Sequence, residues 1–252
     1  MRFSLFSRKG PVIPVVPLTG GIGISMPLRS AVSSTSIEAQ LSRAFAMKAP
    51  AVAILINSPG GSAVQSHLIY KRIRALAEEK KKLVIVAVED VAASGGYMIA
   101  LAGDEIVVDG SSIVGSIGVV FAGFGFQKLI EKLGIERRVH TAGEAKVILD
   151  PFQPEKEEDV VRLKSLQREV HAFFIDLVKS RRARLADDPE IFTGAFWSGE
   201  RAVALGLADR VGDLHSVLRE KYGDSVRLKT IGGERGLLRR RLGLSSHGRG
   251  SL

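Results

Sequence analysis

Residues 51–56 (Ala-Val-Ala-Ile-Leu-Ile) and 84–88 (Val-Ile-Val-Ala-Val) are apolar at every position. A strand with one wet face alternates apolar and polar residues, whereas a strand covered on both faces does not, so these runs read as central strands of a buried, largely parallel sheet. Between them, residues 63–79 have helical spacing and are expected to bury Val64, Leu68, Ile69, Ile73 and Leu76, with a solvated end at 78–82. A third short strand is expected at 106–109. Strands alternating with helices define an α/β layered fold, and in such folds ligands sit off the carboxyl ends of the strands.

Those ends carry the most informative residues. After the first strand comes Asn57-Ser58-Pro59-Gly60-Gly61-Ser62, in which proline fixes one bend and the glycines can adopt angles closed to other residues. Ser62 and Gln65 have the spacing of a capping box, so the loop should present bare amides at a helix start. After the second strand and two acids, Ala92-Ala93-Ser94-Gly95-Gly96-Tyr97 leads into a helix beginning near Ser94. Its small neighbours let a substrate backbone approach, and the first helical amides face any oxygen that becomes negative there. Ser94 can be read as a nucleophile or as an ordinary helix N-cap.

The remainder supplies a frame. Residues 12–18, interrupted by Pro14 and Pro17, read as an edge strand, because proline cannot donate to a ladder. Thr35 and Glu38 have capping-box spacing, and Ile37, Leu41, Ala44 and Phe45 share the face of the helix that follows. Residues 111–119, glycine-punctuated and nearly free of charge, should pack near the site. A helix at 125–133, a strand near 137–140 and a long helix at about 155–185 follow, the last with acids at its start and arginines at its end, matching the helix dipole. His171 on that helix reads as structural. Shorter helices are expected at 199–205 and 214–221.

The chain of 252 residues is long enough for one substantial core. It divides into a basic N-terminal segment (1–11), one domain (12–231) and a basic, leucine-bearing tail (232–252) expected to be flexible. Cysteine is absent, which removes a thiol nucleophile, a disulfide framework and a cysteine-based metal site. The net charge of +9 collects largely at the two ends, so it suggests peripheral contact with anionic membrane rather than a specific nucleic-acid surface. Residues 1–16 contain neither the continuous apolar stretch of a signal peptide nor that of a span, and the expectation is a cytoplasmic protein, at most peripheral to the inner face of the membrane.

A hydroxyl nucleophile needs a base. None of the five histidines (67, 140, 171, 215, 247) lies in small-residue surroundings like those of Ser94. A lysine can serve near neutral pH if desolvation lowers its pKa by roughly three units from about 10.4, a differential of about 4 kcal/mol. A hydroxyl such as that of Ser116 could hold the neutral amine.

Taken in order, Asn57-Ser58-Pro59-Gly60-Gly61, Ala92-Ala93-Ser94-Gly95-Gly96-Tyr97, Gly115-Ser116-Ile117-Gly118-Val119 and the segment from Gly143 to Lys146 resemble the signal peptide peptidase A type serine proteases, peptidase family S49, which include SohB-like proteases. The resemblance covers about residues 12–230. It implies the ClpP/crotonase superfold, a β-α spiral, and a Ser/Lys dyad with Ser94 as nucleophile, Lys146 as base and Ser116 orienting the amine. It further implies an oxyanion hole from the amides of Gly61 and Gly95, shaped by Gly60. A peptide or protein substrate, no metal or other cofactor, and a ring-like homo-oligomer in which the lysine comes from the same or a neighbouring subunit are also implied. Many relatives carry an N-terminal span that is not seen here, and some are tandem duplications whereas each motif occurs once in this chain. A crotonase-type acyl-CoA enzyme and a non-catalytic ring-forming scaffold are the rival readings.

Overall fold

The computed structural model describes residues 10–23, 31–143 and 146–232. In chain order the elements are β1 (Val12–Thr19), α1 (Ser34–Ala46), β2 (Ala51–Ser58), α2 (Ala63–Lys80), β3 (Leu83–Ala93), α3 (Gly95–Ala100), β4 (Glu105–Val108), β5 (Ile113–Gly115), α4 (Gln127–Lys132), α5 (Glu157–Arg181), a 3-10 turn (Pro189–Phe192), β6 (Phe196–Ser198), α6 (Gly199–Ala204), β7 (Arg210–Val211), α7 (Leu214–Tyr222) and β8 (Arg227–Thr230). The strands form one sheet in the order β6-β5-β3-β2-β1-β8, with β4 and β7 branching from β3. All described pairings are parallel except β5 with β6. This is the expected α/β sheet, mostly parallel, with both faces covered.

The continuous apolar runs divide by parity. Val52, Ile54, Ile56, Val84, Val86 and Val88 face a core shared with α1, α2, α3 and α5. Ala51, Ala53, Ile85 and Ala87 face a smaller core closed by Leu214, Val217 and Leu218 of α7. Burying side chains on both faces explains why no polar residue is tolerated in either run.

Three local expectations are corrected. β1 is not an edge strand: it pairs with β8 through Val12–Val15 and with β2 from Val15 to Thr19. The two ladders overlap only at Val15, so Pro14 precedes the first β2 pair and Pro17 follows the last β8 pair, and neither proline interrupts a strand bonded on both sides. The cap of α1 is Ser33, whose side chain and backbone exchange bonds with Ser36. Glu38 instead takes Arg72 of α2 in a two-pronged ion pair. At α2, Ser62 accepts from the Gln65 amide as expected, but the Gln65 side chain turns away and accepts from the Ser34 backbone.

Helix α2 buries Ile69, Ile73, Leu76, Ala77 and Ser66, whereas Val64 and Leu68 are exposed, because the packed stripe against the sheet and α3 is narrower than the apolar pattern. Residues 137–140 form no strand, and α4 buries none of its side chains. The basic tail beyond Gly232 and residues 1–9 of the N-terminal segment lie outside the described residues. No described helix is long and apolar enough to cross a membrane.

Candidate active site

The expected break between the second apolar run and Ser94 does not exist. Strand β3 continues through Glu89 and Asp90 to Ala93, pairing first with β4 (85–88) and then with β5 (91–93). The strand therefore delivers Ser94 directly into α3, with the Ser94 amide bonded to Gly115 O (2.8 Å) and its carbonyl starting the helix at Met98 (2.9 Å).

At the junction Ser94 has φ 50° and ψ −120°, and its side chain makes no capping bond. Such a backbone is costly for a residue with a Cβ and persists only where its surroundings over-determine it. Ser94 occupies the N-cap position, but its hydroxyl makes no capping bond to the amides that such a cap would satisfy. Among the described residues Ser94 Oγ has no hydrogen-bond partner.

The loop after β2 packs against this turn. Ile22 N bonds Gly60 O (2.9 Å) and Ser62 N bonds Ile22 O (2.8 Å), which clamps the backbone on either side of Gly61. The Ser58 hydroxyl accepts from the Gly60 amide (3.2 Å) and donates to Gly20 O (2.7 Å). A Cβ on Gly61, at φ +142°, would lie 2.2 Å from Ile22 O, so only glycine fits this clasp. A Cβ on Gly95 would lie 2.3 Å from Ser66 Oγ and 3.4 Å from the Gly61 nitrogen. The two backbone amides, one from each loop, thus stand close to each other, and among the described residues neither donates a hydrogen bond.

A cleft of about 650 Å³ opens above them, lined by Gly61, Ser94, Gly95 and Ser116 and walled by Met98, Val119, Val120, Val170 and Phe174. Ser116 is held at φ 52° by the bond from its amide to Ala195 O (2.7 Å), next to the antiparallel β5–β6 pair. Gly60 is buried directly behind Ser94 rather than lining the cleft. Lys146 is placed apart from this group: its side chain is exposed, its amide bonds Gly143 O (3.2 Å), and it is not among the cleft's lining residues. The structure therefore brings together five of the six expected residues.

The wall supplied by α5 and by Thr193 and Gly194 was not anticipated. Val170 and Phe174 have the i, i+4 spacing of one helix face, but sequence does not say which surface that face meets. His171 next to them has the expected structural role, its Nε2 bonding Ile117 O (3.0 Å) and fastening α5 to the segment that carries Ser116. Among the described residues no His, Asp or Glu cluster has metal-ligand proximity.

The family model "Peptidase family S49" matches residues 76–225, which include Ser94, Ser116 and Lys146. The chain belongs to peptidase family S49. It is 36% identical over 195 residues to the chloroplastic serine protease SPPA of Arabidopsis thaliana, covering 76% of this chain and 28% of that protein. It is also 63% identical over 235 residues, 91% of its own length, to a Brucella abortus (strain 2308) protein named Na(+)/H(+) antiporter NhaA. That match spans 32% of the Brucella protein, so the name belongs to a chain of which the similar segment is a minor part. This chain thus spans about a third or less of the length of both relatives.

Among solved structures, a membrane-bound stomatin-specific protease, 1510-N, in a lysine-to-alanine mutant form complexed with a substrate peptide, superposes with a TM-score of 0.55. The match covers 92% of this chain and 98% of that one at 17% identity. The S49 chain therefore has the ClpP-like α/β fold, as one domain with a mostly parallel sheet.

Proposed function

We propose that this S49 chain is a serine endopeptidase that cleaves unfolded, hydrophobic or signal-peptide-like peptides through an acyl-enzyme. The observation that carries the reading is the strained, uncapped Ser94 at the end of β3 beside the free amides of Gly61 and Gly95. In this mechanism Ser94 Oγ attacks the peptide carbonyl while its proton passes to the Lys146 amine, which Ser116 orients. The two amides hold the oxygen that becomes negative, a stabilisation worth about 3–4 kcal/mol per donor in comparable enzymes. The lysine then returns the proton to the leaving amine, and water activated by the same amine releases the acyl group. The apolar wall of Met98, Val119, Val120, Val170 and Phe174 suits small or apolar side chains next to the cut.

The exposed position of Lys146, away from the cleft of its own chain, supports supply of the base by a neighbouring protomer. The surface favours such assembly. Phe121 (54%), Phe124 (81%), Leu129 (52%) and Leu133 (63%) are exposed within one stretch, and a ring-like homo-oligomer would cover them. We further place the enzyme on the cytoplasmic side, with its basic termini contacting anionic lipid.

A fluorophosphonate probe tests the reading. Wild type should be labelled, with the adduct on the tryptic peptide containing Ser94, and Ser94→Ala should not be. An unlabelled wild type that binds acyl-CoA instead would transfer the site to thioester chemistry. A wild type inert in both assays would leave a scaffold.

A further inference from the structure

Helix α5 presents a second set of side chains beside the catalytic cleft. Lys164, Gln167, Arg168 and His171 are spaced 3, 1 and 3 residues apart and so share one helix face. Together with Val119 they line a depression of about 240 Å³. Val119 also walls the cleft that holds Ser94, so the two spaces adjoin at that residue. The lining is unlike that of the cleft: it contains a lysine, an arginine, an amide and an imidazole, and no carboxylate.

Cations on a helix surface ordinarily take a carboxylate from the next turn. Here, among the described residues, neither Lys164 nor Arg168 is paired with an acid. His171 is immobilised by its bond to Ile117 O; because a carbonyl only accepts, Nε2 carries the hydrogen and the ring is fixed as one wall. Lys164 and Arg168 are one turn apart, about 6 Å along the axis. That separation lets an ammonium and a guanidinium approach one carboxylate from two sides.

We propose that this depression is a carboxylate-binding subsite of the peptide cleft. A peptide lying across Ser94 sets one Asp or Glu side chain, or its own C-terminal carboxylate, between Lys164 and Arg168, so that a negative charge at a fixed distance from the cut fixes the register of cleavage. The assignment deepens the peptidase reading and rests on it. It accounts for a cationic face beside a cleft otherwise lined by small and apolar groups.

The test is a set of fluorogenic peptides sharing the same apolar residues around the cut, with Glu or Gln at each successive position and each made as free acid and amide. At one position Glu should raise kcat/KM over Gln by about tenfold, the scale of two charge-assisted contacts at a solvated site. If the free acid is favoured over the amide instead, the C-terminal carboxylate is the ligand. The advantage should vanish in Lys164→Ala/Arg168→Ala and pass to Lys-containing peptides in Lys164→Glu/Arg168→Glu, while turnover of the Gln amide stays within about twofold. Equal turnover of charged and neutral peptides by wild type, or an advantage that survives in both variants, overturns the subsite. Anisotropy titration of Ser94→Ala with the same peptides separates the two readings: charge-dependent binding without turnover by wild type removes the peptidase and keeps the subsite, and turnover of the neutral peptide without any charge preference does the reverse.

Discussion

Gly60 lies directly against Ser94: a Cβ built on the glycine would stand 2.9 Å from the serine Cβ and 2.8 Å from both Ala93 O and Gly95 N. The loop after one strand and the turn after the next are thus in contact through backbone, which ties the proposed nucleophile to both proposed oxyanion donors. Gly60→Ala adds the clash to an unfavourable φ of +104°. It should lower kcat by at least about 100-fold, the scale of losing an aligned oxyanion donor. Steady-state kinetics beside a melting curve checks this, and a variant that melts earlier yet keeps full kcat contradicts the contact's catalytic role.

The position of Lys146 yields a complementation result. Ser94→Ala and Lys146→Ala chains should each be inactive. Co-assembled in equal amounts, they should regain about a quarter of wild-type activity by random pairing under the proposed sharing, in which one chain supplies the serine and its neighbour the lysine. Lys146→Arg should be inactive in every mixture with Lys146→Ala, since a guanidinium gives up no proton at neutral pH. Lack of recovery in verified mixed assemblies would place the base within the same chain as its serine.

Two arginines hold the far end of α3, the helix that follows Ser94. Arg181 of α5 donates to Leu101 O (3.0 Å) and Gly103 O (3.1 Å), and Arg74 of α2 donates to Ala102 O (3.0 Å) and Asp104 (2.8 Å). These carbonyls end α3, where positive charge is favoured by the helix dipole. Arg181→Ala should cost about 1–3 kcal/mol by leaving carbonyls unpaired, and Arg181→Lys should cost less. Urea denaturation of both variants decides it, with equal losses arguing that stem packing rather than the bonds matters.

An ion pair anchors the segment that follows Lys146. Arg137 Nε bonds Asp150 Oδ2 (2.8 Å) and the Phe152 amide bonds Oδ1 (3.0 Å), and the Arg137 contact foremost holds the Asp150 carboxyl below the usual carboxylate range. A depressed carboxyl contributes stability that is complete above its unfolded pKa and is lost as pH falls through the folded value. Hydrogen exchange of residues 146–153 should therefore be slowest near neutrality and accelerate, after correction for intrinsic rates, below about pH 4. Asp150→Asn should show the faster exchange already at pH 7 and lose this pH dependence; an unchanged profile would refute the anchoring role.

Much of the fold was legible because its signals are local. The all-apolar runs at 51–56 and 84–88 report burial on both faces, and each is a central strand. The reading of β1 as an edge failed because proline excludes only a bond at its own position, and the offset of β2 and β8 along β1 comes from distant segments. Val64 and Leu68 were misassigned for a related reason: periodicity defines an apolar face, but what covers it is decided elsewhere.

The chain's residues alone determined which chemistry is available: a serine among glycines at a strand end, a second glycine pair at the neighbouring strand end, and no thiol. These follow from steric rules acting over a few bonds. Only the tertiary structure decided that Ser94 leaves its amides uncapped, that α5 walls the cleft, and that Lys146 lies outside it. Those outcomes depend on contacts between segments up to about a hundred residues apart, where the free energy of packing, not local geometry, selects the arrangement.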